Sequence, residues 1–155
     1  MLVLSVSASA APAPDFRVAK LIGAPTAKLS GLKELKGKIV YVEFWATWCA
    51  PCVAGIPRMN GIVEALKGEP VVFLAVTDEP ASKIQPFLRK YPMSSWVGID
   101  VERSALKAFK VKARPSGFLL GKDGALLARI SPEKITEAEL RQALAGNFEN
   151  HFLSR

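Results

Sequence analysis

The sequence predicts an α/β fold in which a mixed central sheet carries helices on both faces, and three observations support this. Residues 39–44 and 71–76 are nearly continuous apolar runs, typical of parallel strands buried on both faces. Between them, over residues 53–66, apolar residues recur at nearly helical spacing, which predicts a right-handed βαβ unit. Residues 118–130 have the pattern strand, glycine turn, strand, which indicates an antiparallel hairpin.

Further periodic segments extend this core. Apolar spacing predicts helices over residues 81–91 and around 105–109, with a short strand at 96–99 between them. Residues 136–139 have the Thr-x-x-Glu pattern of a capping box and therefore begin the last helix.

One domain is predicted, covering residues 15–146, because a chain of 155 residues that is half hydrophobic can bury a sizeable core. Residues 1–14 are interpreted as a signal-peptide remnant or a disordered linker, since their apolar start and small residues resemble the end of a secretory signal without its charged opening. Residues 147–155 are interpreted as a C-terminal tail.

The chain is basic, with a formal net charge of +7 and a pI near 9.6. Its lysines and arginines are scattered and form no dense run, so they indicate a solvated surface. We therefore expect no nucleic-acid partner.

The two cysteines, Cys49 and Cys52, lie three positions apart where the first predicted strand gives way to a helix. One helical turn brings them within disulfide reach. The helix start favours a thiolate, and in such motifs a thiol pKa falls to between about 3.5 and 7.5, so Cys49 is the predicted nucleophile. Cys52 is the predicted resolving thiol and should be the less exposed of the two. Pro57 lies deep enough in the helix to predict a kink.

A Cys-x-x-Cys pair has other interpretations. Half of a zinc site would need two more ligands, yet the chain has no further cysteine and only one histidine, His151. We therefore predict no metal, while an inert structural disulfide and a Cu(I)-handling thiol chaperone stay open as alternatives.

Residues 44–52, Phe-Trp-Ala-Thr-Trp-Cys-Ala-Pro-Cys, resemble the active-site signature of the thioredoxin superfamily. The Trp-Ala-Thr-Trp-Cys form is most similar to the extracytoplasmic TlpA/ResA-like thiol–disulfide oxidoreductases. This resemblance implies a thioredoxin-like three-layer α/β/α fold with an N-terminal β-hairpin and an inserted helix-strand unit. It also implies a periplasmic or otherwise extracytoplasmic location, with a membrane anchor as an option for the full-length form.

Glu43 interrupts the first apolar run, six positions before Cys49. Burying a carboxylate is costly unless it is neutral or partnered, so Glu43 either faces solvent at the strand end or is a buried acid near Cys52. The resemblance favours the buried acid, since thioredoxin has an Asp at the matching position, and it implies that Glu43 takes the proton from Cys52. Residues 71–77 lack the lysine that often accompanies that Asp.

Pro115 precedes the strand at 118–120, where a proline alone would indicate a turn or a sheet edge. The resemblance implies instead a cis-proline facing the cysteines, preceded by a residue whose backbone binds the substrate strand. That residue is Arg114, and two placements of its guanidinium are considered. It either lies near Cys49, favouring the thiolate and attracting acidic substrate segments, or points to solvent.

The resulting hypothesis is a protein-disulfide oxidoreductase that needs no cofactor and acts as a dithiol reductase, with a dithiol oxidase as the alternative direction. Trp48, Ala50 and Pro51 complete the docking surface formed with Arg114 and Pro115. The expected partners are disulfide-containing proteins and an upstream thiol electron donor. A membrane-bound donor is one option. The chain is expected to be a monomer. An apocytochrome c is not indicated, because the acids that cytochrome-maturation members carry after the second cysteine and the cis-proline are absent. A thiol peroxidase lacks support, because those enzymes surround a single attacking cysteine with a different setting.

Overall fold

The structure, a computed structural model, describes residues 10–149 and contains six strands and five α-helices in that range. A single 3-10 helix, Leu32–Leu35, precedes the second strand. In chain order the elements are β1 (Lys20–Ile22), β2 (Ile39–Phe44), α1 (Ala50–Ala54), α2 (Ile56–Ala65), β3 (Val71–Thr77), α3 (Ala81–Lys90), β4 (Trp96–Ile99), α4 (Ser104–Ala108), β5 (Ser116–Leu120), β6 (Leu126–Arg129) and α5 (Glu137–Leu144).

One mixed sheet forms the centre of the molecule, with the strand order β1-β4-β3-β2-β5-β6. The strand β2 lies between β3, which is parallel to it, and β5, which is antiparallel. Every residue of β2 is buried, as its continuous apolar run predicts. The unit α3–β4 is the inserted helix-strand unit, since β4 adds to the sheet beside β3. The predicted thioredoxin-like fold class is confirmed.

The two faces of β2 belong to different layers because side chains alternate along a strand. Val40, Val42 and Phe44 lie in a cluster with residues of α4, whereas Ile39 and Tyr41 lie in a cluster with residues of α2 and α5. The same alternation places Glu43 on the face of Ile39 and Tyr41, beneath the helix that follows the cysteines.

The helix after the cysteines is divided into α1 and α2. Gly55 is the C-cap of α1 and the N-cap of α2, and a proline occupies the first turn of α2. The kink predicted at Pro57 is therefore an interruption of the helix at Gly55, two residues earlier, because Pro57 has no backbone N–H for a continuous helix and fits best in a first turn.

Described residues of the N-terminal segment pair with other parts of the chain. Val18 and Leu29 exchange two backbone hydrogen bonds, so the implied hairpin consists of one bridge, and β1 continues from it as an edge strand antiparallel to β4. Pro12 forms a bridge with Ala125, so within the range 1–14 the described residues 11–13 pair with the turn before β6. The hydrogen bonds of Ala11 and Ala13 satisfy backbone groups that an unpaired linker would leave to water.

The C-terminal helix begins as predicted. The Thr136 hydroxyl accepts the Glu139 N–H at 3.3 Å, and the Glu139 carboxylate accepts the Thr136 N–H at 2.8 Å, which completes the capping box. Of the predicted tail, Phe148 packs partly buried against the cluster that contains α5. The interpretations of residues 1–9 and 150–155, including His151, concern segments outside the described residues.

Candidate active site

The cysteine pair lies at the junction of β2 and α1. Cys49 caps α1, and its sulfur accepts the backbone N–H of Cys52 at 3.4 Å. The two residues form a disulfide, with their Cα atoms 5.2 Å apart. Pro51 lies in the first turn, where its missing N–H leaves no hydrogen bond unmade. Strand, loop and helix start thus present both sulfurs at the end of the central strand.

The relative exposure of the two cysteines differs from the sequence expectation. In the disulfide form Cys49 is 4% exposed and Cys52 is 9% exposed, so the prediction that Cys52 is the less exposed is wrong here. The reason is a cavity of about 30 Å³ beneath α1, which Cys52 lines together with Glu43 and Pro115. Both cysteines belong to an apolar cluster with Trp45 and Ile84, but only Cys52 also lines this cavity.

Pro115 lies beside the cysteines because of the strand register. Ser116 of β5 is paired with Phe44, the last residue of β2, so the residue before Ser116 lies at the loop that carries the cysteines. The peptide bond between Arg114 and Pro115 is cis, in agreement with the resemblance. Pro51, Cys52 and Pro115 line the same small cavity.

An apolar surface surrounds the disulfide. Trp48, directly before Cys49, is 66% exposed, although tryptophan side chains are mostly buried in folded proteins. Ala50 and Pro51 are exposed as well. Three of the residues predicted to dock substrate, Trp48, Ala50 and Pro51, are therefore accessible.

Arg114 has partners that the sequence did not indicate. Its guanidinium forms a salt bridge with Asp78 at 2.9 Å and lies over the Trp48 ring, 5.4 Å from the centroid. The side chain is 9% exposed, so the alternative of an arginine turned to solvent does not fit. The hypothesis that it favours the Cys49 thiolate stays a prediction, and Asp78 weakens it because a paired charge has less effect on a neighbour.

Glu43 is buried in the middle of the sheet. It is 8% exposed and is paired in register with Ala75 on one side and Gly117 on the other. Burial raises the pKa of its carboxyl from 4.5 to about 7. Within residues 10–149 no cation or hydrogen-bond donor partners this carboxyl, which faces the cavity that Cys52 also lines. A carboxyl with this pKa can hold or accept a proton near neutral pH.

A second buried acid, Glu79, holds the loop before the cysteines. Its carboxylate accepts the Thr47 backbone N–H at 2.8 Å and the Thr47 hydroxyl at 2.7 Å, and it pairs with Lys83 at 2.7 Å. Burial alone would raise the pKa of Glu79, but the hydrogen bonds from Lys83 and Thr47 outweigh it and lower the pKa. Glu79 is therefore a charged acceptor that holds Thr47, the residue before Trp48, in place.

Asp78 and Glu79 are not among the site residues predicted from the sequence. One signal was available, because both follow β3 and the carboxyl ends of parallel strands gather at the edge of a sheet where sites form. Their partners, Arg114 and Thr47, lie far away in sequence, so no local pattern joins them.

The bond between Thr47 and Glu79 gives a testable prediction. Thr47→Val should lower the free energy of unfolding by about 1.5–3 kcal/mol, because a buried carboxylate loses a charge-assisted hydrogen bond. Urea denaturation at neutral pH measures this difference. Thr26→Val is the matched control, since the Thr26 hydroxyl is exposed and bonds only to a backbone carbonyl, and it should change stability by less than about 0.5 kcal/mol. Equal effects of the two substitutions would show that the bond from the Thr47 hydroxyl to Glu79 does not stabilise the loop.

Residues 10–149 contain no cluster of three or more His, Cys, Asp or Glu side chains able to hold a metal ion. No helix in this part of the chain has both the length and the apolar character needed to cross a bilayer.

Together, the mixed sheet, the Cys-x-x-Cys pair at a helix start and the adjacent cis-proline define a thioredoxin-like protein. Solved structures agree, including a Chlorobium tepidum protein assigned as the thiol:disulfide interchange protein DsbE, with a TM-score of 0.73 and 25% identity over 92% of this chain and 99% of that chain. The exposed lipoprotein thioredoxin of Streptococcus pneumoniae has a TM-score of 0.65 and 25% identity, covering 85% of this chain and 98% of that chain.

A family model for the AhpC/TSA family matches residues 10–129, and the chain belongs to this family. It is 35% identical over 126 residues to the thiol-disulfide oxidoreductase ResA of Bacillus cereus, covering 81% of this chain and 70% of that protein. The ResA of Geobacillus thermodenitrificans is 31% identical over 133 residues, which cover 85% and 74% of the two chains. With its cysteine pair, the chain is a thiol–disulfide oxidoreductase of thioredoxin-like fold.

Proposed function

We propose that this protein is a dithiol reductase of disulfides in extracytoplasmic proteins. The observation that carries the proposal is the Cys49–Cys52 pair, which lies at a helix start beside Pro115 and directly follows Trp48, whose indole is exposed. The reductive direction is supported by the resemblance of residues 44–52 to the TlpA/ResA-like group.

In the proposed reaction the reduced protein carries two thiols. The Cys49 thiolate attacks one sulfur of the substrate disulfide, which forms a mixed disulfide and releases the first substrate thiolate. Cys52 then attacks the Cys49 sulfur, so the protein disulfide forms and the second substrate thiol leaves. The backbone N–H of Cys52 points at the Cys49 sulfur, and this donor together with the helix start stabilises negative charge there.

Glu43 is the proposed proton acceptor for Cys52. A thiol must lose its proton to attack, and a carboxyl with a pKa of about 7 is suited to take that proton near neutral pH. The cavity of about 30 Å³ that the two side chains share has room for one water molecule, which can relay the proton between them.

The proposed substrate surface consists of Trp48, Ala50, Pro51 and Pro115 with the backbone of Arg114. An extended substrate segment binds there through backbone hydrogen bonds and apolar contacts, and the backbone part of this recognition does not depend on the substrate sequence. The protein acts as a monomer on disulfide-containing proteins, receives electrons from an upstream thiol donor, and takes no nucleic acid.

We place the protein outside the cytoplasm, in the periplasm or an equivalent compartment. Protein disulfides persist in such compartments, so a disulfide reductase finds its substrates there. The Streptococcus pneumoniae structure, which is that of an exposed lipoprotein thioredoxin, supports this location.

The reduction potential of the Cys49–Cys52 pair tests the direction of the reaction. The cysteine pair of a reductase should have a reduction potential like that of thioredoxin, about −270 mV. The potential of a strong oxidase such as DsbA is about −120 mV. Equilibration with glutathione or dithiothreitol buffers, followed by mass spectrometry of alkylated thiols, measures the potential. In parallel, the reduced protein should reduce insulin disulfides. A potential above about −150 mV would identify an oxidase, and stoichiometric Cu(I) binding without insulin reduction would identify a metal chaperone.

A further inference from the structure

A second cavity, here called the Trp48 pocket, lies beside the disulfide and is not used by the reaction described above. It has a volume of about 220 Å³ and is lined by the side chains of Trp48, Asp78, Arg103, Lys112 and Arg114. Trp48 directly precedes Cys49 and Arg114 directly precedes Pro115, so the pocket adjoins the surface where substrate binds. It is formed by four segments: the loop after β2, the end of β3, the start of α4 and the loop before β5.

The pocket carries an excess of positive charge. Asp78 is its only carboxylate among the described lining residues, and one of its oxygens forms salt bridges with both Arg114, at 2.9 Å, and Arg103, at 3.4 Å. Lys112 has no ion-pair partner within residues 10–149. One carboxylate cannot neutralise three cations, so a further carboxylate entering the pocket would be attracted.

The cations differ in how firmly they are held. Arg114 is buried, bonded to Asp78 and placed over the Trp48 ring, so its position is fixed before any ligand arrives. A group that is already ordered loses little conformational entropy on binding. Arg103 and Lys112 are exposed and can turn toward an incoming group. The exposed indole of Trp48 offers an apolar wall for the methylene groups of a glutamate.

We propose that the Trp48 pocket binds the carboxylate of a Glu or Asp side chain in the substrate, close to the cysteine that is attacked, so that the protein prefers acidic disulfide segments. A substrate strand lying against Arg114 and Pro115 sends alternate side chains to opposite sides, and one of them reaches the pocket. The inference rests on the proposed reductase function and adds a substrate class to it. The pocket contributes only binding; the electrons and protons still pass from the Cys49–Cys52 dithiol to the substrate disulfide.

Three peptides test this preference. Each contains one disulfide, and they differ only at the residue next to one cysteine, which is Glu, Gln or Lys. Stopped-flow fluorescence follows the oxidation of the reduced wild-type protein at an ionic strength of about 0.01 M, where the Debye length is about 30 Å. The second-order rate constants should fall in the order Glu, Gln, Lys, with about tenfold between the first and last. At about 1 M salt, where the Debye length is about 3 Å, the three rates should converge.

Two double variants locate the effect. Arg103→Gln with Lys112→Gln should reduce the Glu-to-Lys rate ratio to about twofold or less, because the mobile cations of the pocket are gone. Lys33→Gln with Lys36→Gln removes the same net charge from the 3-10 helix before β2, at the opposite end of that strand from the cysteines, and should keep the wild-type ratio.

The outcomes separate this inference from the function on which it rests. If wild-type protein reduces all three peptides at equal rates, the pocket has no role in recognition while the reductase function stands. The inference also fails if both double variants lose the preference equally, because the effect is then one of net charge. If neither the peptides nor insulin are reduced, the proposed function is wrong and the inference falls with it.

Discussion

Replacing Cys49 by serine should abolish insulin reduction, lowering turnover by at least about 10³-fold. A serine hydroxyl is not ionised near neutral pH and cannot replace the thiolate that attacks a disulfide sulfur. Turbidity from precipitating insulin B chains, with dithiothreitol as the electron source, measures the rate. Dithiothreitol without protein gives the background, and the variant should not exceed it.

Cys52→Ser should behave differently, and the contrast assigns the two roles. The first attack by Cys49 remains possible, but the mixed disulfide is not resolved, so a covalent complex with substrate should accumulate. Mass spectrometry under non-reducing conditions detects this complex. The difference matters because Cys52 is slightly more exposed than Cys49 in the disulfide form. If Cys49→Ser trapped substrate and Cys52→Ser did not, the order of attack proposed for the two thiols would be reversed.

The core of the fold could be predicted from the sequence because its signals are local. The apolar run of β2 and the capping box at Thr136 both appear in the structure where they were predicted. The N-terminal segment could not be predicted to the same degree. The bridge between Pro12 and Ala125 joins residues more than a hundred positions apart. A proline-rich pattern indicates an extended chain whether or not that chain pairs with another segment.

In the candidate site too, some features follow from the local sequence and others depend on the order of the strands. The positions of Cys49 and Cys52 follow from a strand-to-helix junction that the sequence displays. The contacts of Arg114 do not, because its partner Asp78 lies at the end of another strand and the two meet only once β3 and β5 flank β2. A sequence shows that an arginine is present, but the carboxylate that shares its charge depends on sheet order.

Glu43→Gln should slow the resolution of the mixed disulfide by about 100-fold or more near neutral pH, because a positioned proton acceptor contributes roughly 10²- to 10⁴-fold. Glutamine keeps the shape of the side chain but cannot take the proton from Cys52. Single-turnover oxidation of the reduced protein, followed from pH 5 to 9, should show that the wild-type rate rises with an apparent pKa of about 7 and that the variant lacks this rise. An unchanged pH profile would remove Glu43 from the mechanism.

The same substitution should change stability in a manner that does not depend on catalysis. The pKa of Glu43 is about 7 in the folded protein and 4.5 when the side chain is exposed, so the folded state keeps a proton that the unfolded chain has released. Stability therefore falls as the pH rises from about 4.5 to about 7, and the loss is complete above that range. The difference corresponds to about 3 kcal/mol.

Glu43→Gln removes this penalty, since an amide has no charge to bury. The free energy of unfolding of the oxidised variant, relative to wild type, should rise by about 3 kcal/mol between pH 4.5 and pH 8.5. Glu133→Gln is the control, because Glu133 is exposed although it lines the same cavity, and its removal uncovers no buried charge. If Glu43→Gln changed stability by the same amount at both pH values, the pKa of Glu43 would not be raised in the folded protein, and its carboxylate would be a weaker base for the Cys52 proton than the mechanism requires.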